Sequence, residues 1–222
     1  MSTTDFSWLK AHQLDFLHPK ELDYLKTLTV ERRQASYLLG RFCAKQAAAT
    51  LHPTLLPETI AIEKGVFEFP FISSTHDESF EVSISHSQNL GAAIAYPVAH
   101  PMAIDIEKIS LKKTRVIETQ MELAEIKKVE DYFAQREIAL TALWTIKEAL
   151  SKALKCGMMV NFKLLEIATI EDNNGTYVSH FKYFGQYKAI TFQHDTWMCS
   201  IVLPRKSEVT NFNELLMTKL AI

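Results

Sequence analysis

Two long segments with helical spacing, each leading into a series of strand-like runs, limit what this chain can fold into more than any other feature. Glu31 to Leu51 begins charged and continues with Tyr37, Leu38, Phe42, Ala44, Ala48 and Leu51 on a helical period, up to His52-Pro53, where proline stops a helix. Residues 80–85 (FEVSIS) then alternate strictly, and 91–96 and 102–107 also have strand character, so these three runs are predicted to form one small sheet. The theme returns with a charged, periodic stretch over 116–133 and the strongest helix of the chain over 136–155. Strand-like runs follow at 164–170, 177–183, 188–193 and 197–203, separated by turn material such as Asp172-Asn173-Asn174-Gly175. Helix followed by strands, twice, predicts an α+β chain of two similar halves, residues 1–107 and 108–222, closely packed with any active site in the cleft between them. A short helix is expected near the end, over 213–220.

Composition narrows the classes of function. Of 222 residues, 47% are hydrophobic and 23% charged, enough apolar side chain for a globular core and unlike disordered, collagenous or coiled-coil chains. A formal charge of −2 gives no overall field to hold nucleic acid by counterion release. The apolar run over 90–99 is far short of the roughly 20 residues that span a bilayer. The first ten residues lack the basic region and apolar run of a secretory signal, and a cytoplasmic protein is expected. Cys43, Cys156 and Cys199 are widely spaced with no C-x-x-C, which argues against a disulfide framework or a zinc site.

Four local patterns could carry chemistry, and each also has a plain structural reading. In A-I-D-I-E, Asp105 and Glu107 stand at i and i+2 of a strand and so share a face, opposite Ile104 and Ile106. Paired carboxylates repel unless a cation neutralises them, and hard oxygen donors suit Mg²⁺; a half-buried strand with a solvated acidic edge has the same pattern. On the second long helix, Ala139, Leu143, Ile146, Leu150 and Ala153 form a core stripe, leaving Trp144, Glu148 and Lys152 on an adjacent stripe at steps of four. Glu148 and Lys152 are either a third carboxylate and a phosphate-binding ammonium, or a surface ion pair before Gly157 as a C-cap. In S-I-S-H-S, Ser85, His86 and Ser87 offer donors to an anion; a serine hydrolase is rejected because no G-x-S-x-G elbow exists and the side chains of Ser85 and His86 diverge. Arg33, Arg41 and Lys45 recur along the first long helix, as phosphate ligands or as snorkelling surface residues.

In this order, R-R-x-x-x-Y-L-L-G-R-x-x-A-K, S-I-S-H-S, I-D-I-E and W-T-I-K-E-A-L-S-K-A, the chain resembles the 4′-phosphopantetheinyl transferase superfamily, in its larger, single-chain form whose two halves make a pseudo-dimer. The resemblance runs from about Arg32 to Gly157. It implies transfer of the phosphopantetheine arm from coenzyme A to a serine of an acyl- or peptidyl-carrier protein, with release of adenosine 3′,5′-bisphosphate. It further implies Mg²⁺ held by Asp105, Glu107 and Glu148, phosphate donors in Lys152 and His86, and Glu148 or an ordered water as the base. Arg33, Arg41 and Lys45 would lie near the nucleotide end of coenzyme A, with Ser85 beside His86. The family's G-K-P-like segment is altered here to K-G-V-F-E-F-P, in which Lys64 stands for the basic residue. Ala103 replaces the usual glycine before I-D-I-E, and Glu122 matches a glutamate that often follows the acidic pair.

Lys108, Lys112, Lys113 and Arg115 follow the acidic strand and would steer an acidic carrier, or simply form a solvated loop. The alternative to an enzyme is a silent relative that binds carrier protein or coenzyme A as a regulatory module; retention of the three carboxylates and Lys152 speaks against it. No P-loop is present for a kinase, and a monomer is expected, since two fused halves remove the need for a partner.

Overall fold

The computed structural model describes residues 5–73 and 80–209; the helix expected over 213–220 falls outside them. The chain divides into two compact units, the first ending at His100 and the second spanning Pro101–Ser207.

In the first unit, α1 (Phe6–Ala11) and α2 (Pro19–Thr27) precede the long α3 (Glu31–Leu51). Leu38, Leu39 and Phe42 of α3 pack with Leu9, Phe16 and Leu17, while Ala44 and Ala48 pack with Ile60, Ile62, Phe80 and Val82. The β-structure is two antiparallel pairs, β1 (Ile62–Lys64) with β2 (Pro70–Ile72), and β3 (Phe80–Ser87) with β4 (Leu90–Pro97). Gly91 of β4 lies so close to α3 that a Cβ there would stand 2.8 Å from both Leu39 and Cys43, so glycine sets the approach of helix to strand.

The second unit is a five-stranded antiparallel sheet covered by a long helix. After β5 (Ala103–Lys108) come α4 (Thr114–Thr119), α5 (Leu123–Glu130) and α6 (Arg136–Ala153). They are followed by β6 (Ile167–Asn173), β7 (Thr176–Phe181), β8 (Tyr187–His194) and β9 (Trp197–Pro204), in the sheet order β5-β9-β8-β7-β6. The expected turn joins β6 to β7 through Asn174 and Gly175, both at positive φ, while Asp172 Oδ1 accepts from the Gly175 amide at 2.8 Å. Ala139, Leu143, Ile146 and Leu150 of α6 sit in one core with Ala103, Ala189 and Val202. A buried hydroxyl chain, Thr145 to Ser200 at 2.8 Å and Ser200 to Thr191 at 2.9 Å, ties α6 to β9 and β8.

Two expectations are corrected. The strand over 102–107 does not join β3 and β4 in one sheet: β5 pairs with β9, Asp105 opposite Ser200 and Glu107 opposite Met198. That pairing carries the acidic strand into the second unit, so the break falls between His100 and Pro101 rather than after 107. The periodic stretch over 116–133 is also two short helices rather than one, interrupted around Met121, which is buried.

Each unit is pinned by a buried glutamate–lysine pair of the same design. Glu21 is the third residue of α2, and its carboxylate accepts from the His18 amide at 2.9 Å and from the amide of Ile62, the first residue of β1, at 3.1 Å. It also pairs with Lys45 of α3 at 2.8 Å, and Lys45 donates to the carbonyls of Pro57 and Ile60. Glu125 is the third residue of α5; it accepts at 2.8 Å from the amide of Ile167, the first residue of β6, and pairs with Lys147 of α6 at 2.6 Å. Lys147 donates to the Phe162 carbonyl at 2.8 Å. Burial pushes the Lys147 ammonium down and the Glu125 carboxyl up, and their mutual attraction opposes both shifts. In each unit one carboxylate thus ties a short helix, a long helix and the strand that follows the long helix, β1 or β6, together.

Candidate functional site

The chemistry-bearing residues of the second unit lie on β5 and along one line of α6. From Ala139 to Ala153 every residue of α6 is buried except Trp144, Glu148 and Lys152, which follow one another at steps of four. Asp105 is buried on β5, and its Oδ1 accepts from Lys152 Nζ at 2.8 Å; the same ammonium donates to the Ile104 carbonyl at 3.2 Å. Glu107 accepts from Lys113 Nζ at 2.8 Å. Burial, then the negative charge of Asp105, and more weakly that of Glu107, push the Glu148 carboxyl up to about 7, while Lys152 pulls it down. Glu148 is therefore electrostatically coupled to both carboxylates of the strand and held near the range in which a proton is exchanged at neutral pH.

Three electrostatically coupled carboxylates are hard oxygen donors of the type that suits a divalent cation. Among the described residues, however, no three Asp, Glu, His or Cys side chains are drawn together as a finished coordination shell. Ammonium groups supply the neutralising charge instead, Lys152 on Asp105 and Lys113 on Glu107.

The cations of the first unit gather elsewhere, around a cavity of about 690 Å³. Its lining includes Arg32, Arg33 and Arg41 of α3, Lys64 at the end of β1, and His86 of β3, with Tyr24 and Tyr37. The Arg41 guanidinium lies 4.8 Å from the centre of the Tyr37 ring, Tyr37 is 5.1 Å from Tyr24, and Arg41 Nε is 3.1 Å from Glu21. Burial pushes the Tyr37 hydroxyl up to about 12, so it stays a neutral donor, directed at the Glu21 carbonyl at 3.3 Å. Glu68 also lines the cavity and pairs with Lys64. Cationic forks beside aromatic faces suit a phosphorylated ligand with a planar ring.

Comparison with known proteins bears on the second unit. The family model described as the 4′-phosphopantetheinyl transferase superfamily matches residues 101–202, which include Asp105, Glu107, Glu148 and Lys152. Residues 101–202 are thus similar to that superfamily, over just under half of the chain. A holo-[acyl-carrier-protein] synthase of Bacillus pumilus (strain SAFR-032) is 40% identical over 70 residues, 28% of this chain. The chain spans 58% of that protein's length.

Within the superfamily stretch, the structure brings Asp105, Glu107, Glu148 and Lys152 into one electrostatic neighbourhood. In the first unit it brings Arg33, Arg41, Lys64 and His86 to one cavity. Lys45 and Ser85 are not among the residues lining it. Lys45 is fully buried and engaged by Glu21, and Ser85 is buried on β3, one residue from His86 and so on the other face of the strand. Sequence reasoning passed over Tyr24, Tyr37 and Arg32 as lining residues, although Arg32 adjoins Arg33 in the same motif. Glu21, Glu125 and Lys147 were also missed; a lysine among apolar positions of both long helices was the signal that a buried partner existed.

Proposed function

We propose that this chain transfers the 4′-phosphopantetheine arm of coenzyme A to a serine hydroxyl of an acyl- or peptidyl-carrier protein, releasing adenosine 3′,5′-bisphosphate. The observation that carries this reading is the coupling of Asp105, Glu107, Glu148 and Lys152 inside the stretch that matches the superfamily. In the transfer, the serine oxygen forms a bond to the phosphorus bearing the pantetheine, and the bond from that phosphorus to the bridging pyrophosphate oxygen breaks. The serine proton passes to Glu148, directly or through a water. Lys152 donates to a phosphoryl oxygen and answers the negative charge that shifts there; His86 offers a further donor to phosphate at the cavity of the first unit. Asp105, Glu107 and Glu148 would hold Mg²⁺, which supplies Lewis-acid neutralisation of the pyrophosphate. Arg32, Arg33, Arg41 and Lys64, with the Tyr24 and Tyr37 rings beside them, suit the phosphates and base of the nucleotide part of coenzyme A. Lys45 is left out of the ligand set because its ammonium is committed to Glu21.

The test is intact-mass measurement of an apo acyl-carrier protein and an apo peptidyl-carrier domain, incubated with this protein, coenzyme A and Mg²⁺, with an EDTA control. A mass gain of one phosphopantetheine arm that EDTA abolishes is the expected result. No gain on either carrier, together with no binding of coenzyme A, overturns the reading.

A further inference from the structure

The two buried glutamates differ by one partner. Glu125 is held by hydrogen bonds from the Ile167 and Glu122 backbone and by the Lys147 ammonium. Glu21 has the same kinds of partner, the Ile62 and His18 amides and the Lys45 ammonium, and a fourth: Arg41 Nε stands 3.1 Å from Oε1. The second unit shows that such a lock closes without a second cation, so Arg41 is an addition to it. Arg41 is only 8% exposed, and its contact with Glu21 is one of charge rather than an aligned hydrogen bond. It lines two cavities, the one of about 690 Å³ and a smaller one of about 260 Å³ that Glu21 also lines. A guanidinium beside open space is not fixed by close packing alone, and a long side chain that must be ordered on binding costs affinity.

We propose that Glu21 is a positioning residue, which holds the Arg41 guanidinium toward the larger cavity as a ready-made phosphate ligand. This rests on reading that cavity as the site for the nucleotide part of coenzyme A. Contact through Nε, rather than through the terminal amino groups, keeps the end of the guanidinium fork for phosphate oxygens. The Tyr37 ring, 4.8 Å from the guanidinium carbon, supports one face of it. Lys45 and the two amides fix the carboxylate itself, so Glu21 is a rigid support. Charge alone predicts the opposite effect on binding. A carboxylate beside a phosphate-binding cation repels the incoming anion, and its removal would tighten binding if orientation did not matter. The sign of the change on removing Glu21 therefore separates positioning from charge.

Isothermal calorimetry with adenosine 3′,5′-bisphosphate on the full chain tests this. Arg41→Gln is expected to weaken binding at least about tenfold, as loss of charge-assisted hydrogen bonds does. Glu21→Gln is expected to weaken it about three- to tenfold. That variant leaves Lys45 buried without its carboxylate, so Glu21→Gln combined with Lys45→Met is measured beside it; the combination changes no net charge and is expected to show the same loss. In the Arg41→Gln protein, adding Glu21→Gln is expected to change binding by less than about twofold, because Glu21 acts through Arg41. Glu21 variants that bind as tightly as the wild type, or more tightly, overturn the proposal and leave the nucleotide reading standing. So does an undiminished further loss from Glu21→Gln in the Arg41→Gln protein, or an Arg41→Gln protein that binds like the wild type. A wild type that does not bind the nucleotide overturns both.

Discussion

The two units are built on the same lock and put to different use. In each, a glutamate at the third position of a short helix pairs with a lysine of the long helix and caps the first strand that follows, Glu21 with Lys45 and Ile62, Glu125 with Lys147 and Ile167. What surrounds the lock differs. In the first unit a second cation of the long helix, Arg41, shares Glu21 with Lys45. In the second, Glu148 follows Lys147 directly in sequence, and the ladder it starts with Lys152 meets the acidic strand β5. One scaffold thus presents cations around a cavity, and the other presents carboxylates paired with two ammonium groups, Lys152 and Lys113. The lesson is that the buried pair sets the fold while the half-exposed line beside it is free to diverge.

The sharpest way to break the comparison is to remove one lysine from each lock. Lys147→Met leaves Glu125 buried without its ammonium and is expected to lower the stability of the fold by about 3–5 kcal/mol in urea unfolding. Lys45→Met should cost clearly less, because Arg41 at 3.1 Å still faces Glu21. Equal losses would mean that the two locks do not differ in the way their partners suggest.

The next effect separates the uses. Lys152→Ala is expected to lower kcat for carrier modification about 100-fold with little change in KM for coenzyme A. Arg33→Gln is expected to do the reverse, raising KM for coenzyme A about tenfold and leaving kcat within about twofold, as loss of one charge-assisted hydrogen bond does. Steady-state kinetics on a saturating carrier reads both, and a kcat loss for Arg33→Gln would erase the division.

Much of this was legible in the sequence, for reasons that particular residues show. The line of Trp144, Glu148 and Lys152 could be read because a helix repeats every 3.6 residues, and the structure leaves those three, and no others between Ala139 and Ala153, short of full burial. Residues 188–193 and 197–203 were readable as strands because they are long β-like runs between turns. The sheet partner of β5 was not readable, since strand pairing is a long-range choice and β9 lies at the far end of the unit. The locks were hidden for the same reason: Lys45 and Lys147 look like snorkelling lysines until glutamates from separate helices are placed beside them. Ser85 and His86 read as one motif, but strand alternation sends them to opposite faces.

A smaller effect follows from Glu148. Its carboxyl is raised in the folded, metal-free protein to about 7, from an ordinary value of 4.5. Between those values the folded state holds a proton that the unfolded chain releases, so stability falls as pH rises through this window, by about 1–2 kcal/mol after solvent screening. Mg²⁺ requires the ionised form, so the rise in Tm that it produces should be slight near pH 5 and grow toward pH 8. A Mg²⁺-induced Tm shift independent of pH would remove Glu148 from the cation-holding set.

The central claim is that the carboxylates of the second unit carry the transfer chemistry. Single-turnover transfer to an apo carrier protein, followed by intact mass, tests it most directly when wild type is compared with Asp105→Asn, with coenzyme A binding measured on the same samples. The expected result is transfer by the wild type and a loss of at least about 100-fold in Asp105→Asn, with coenzyme A still bound. An Asp105→Asn variant that transfers the arm at the wild-type rate would contradict the account.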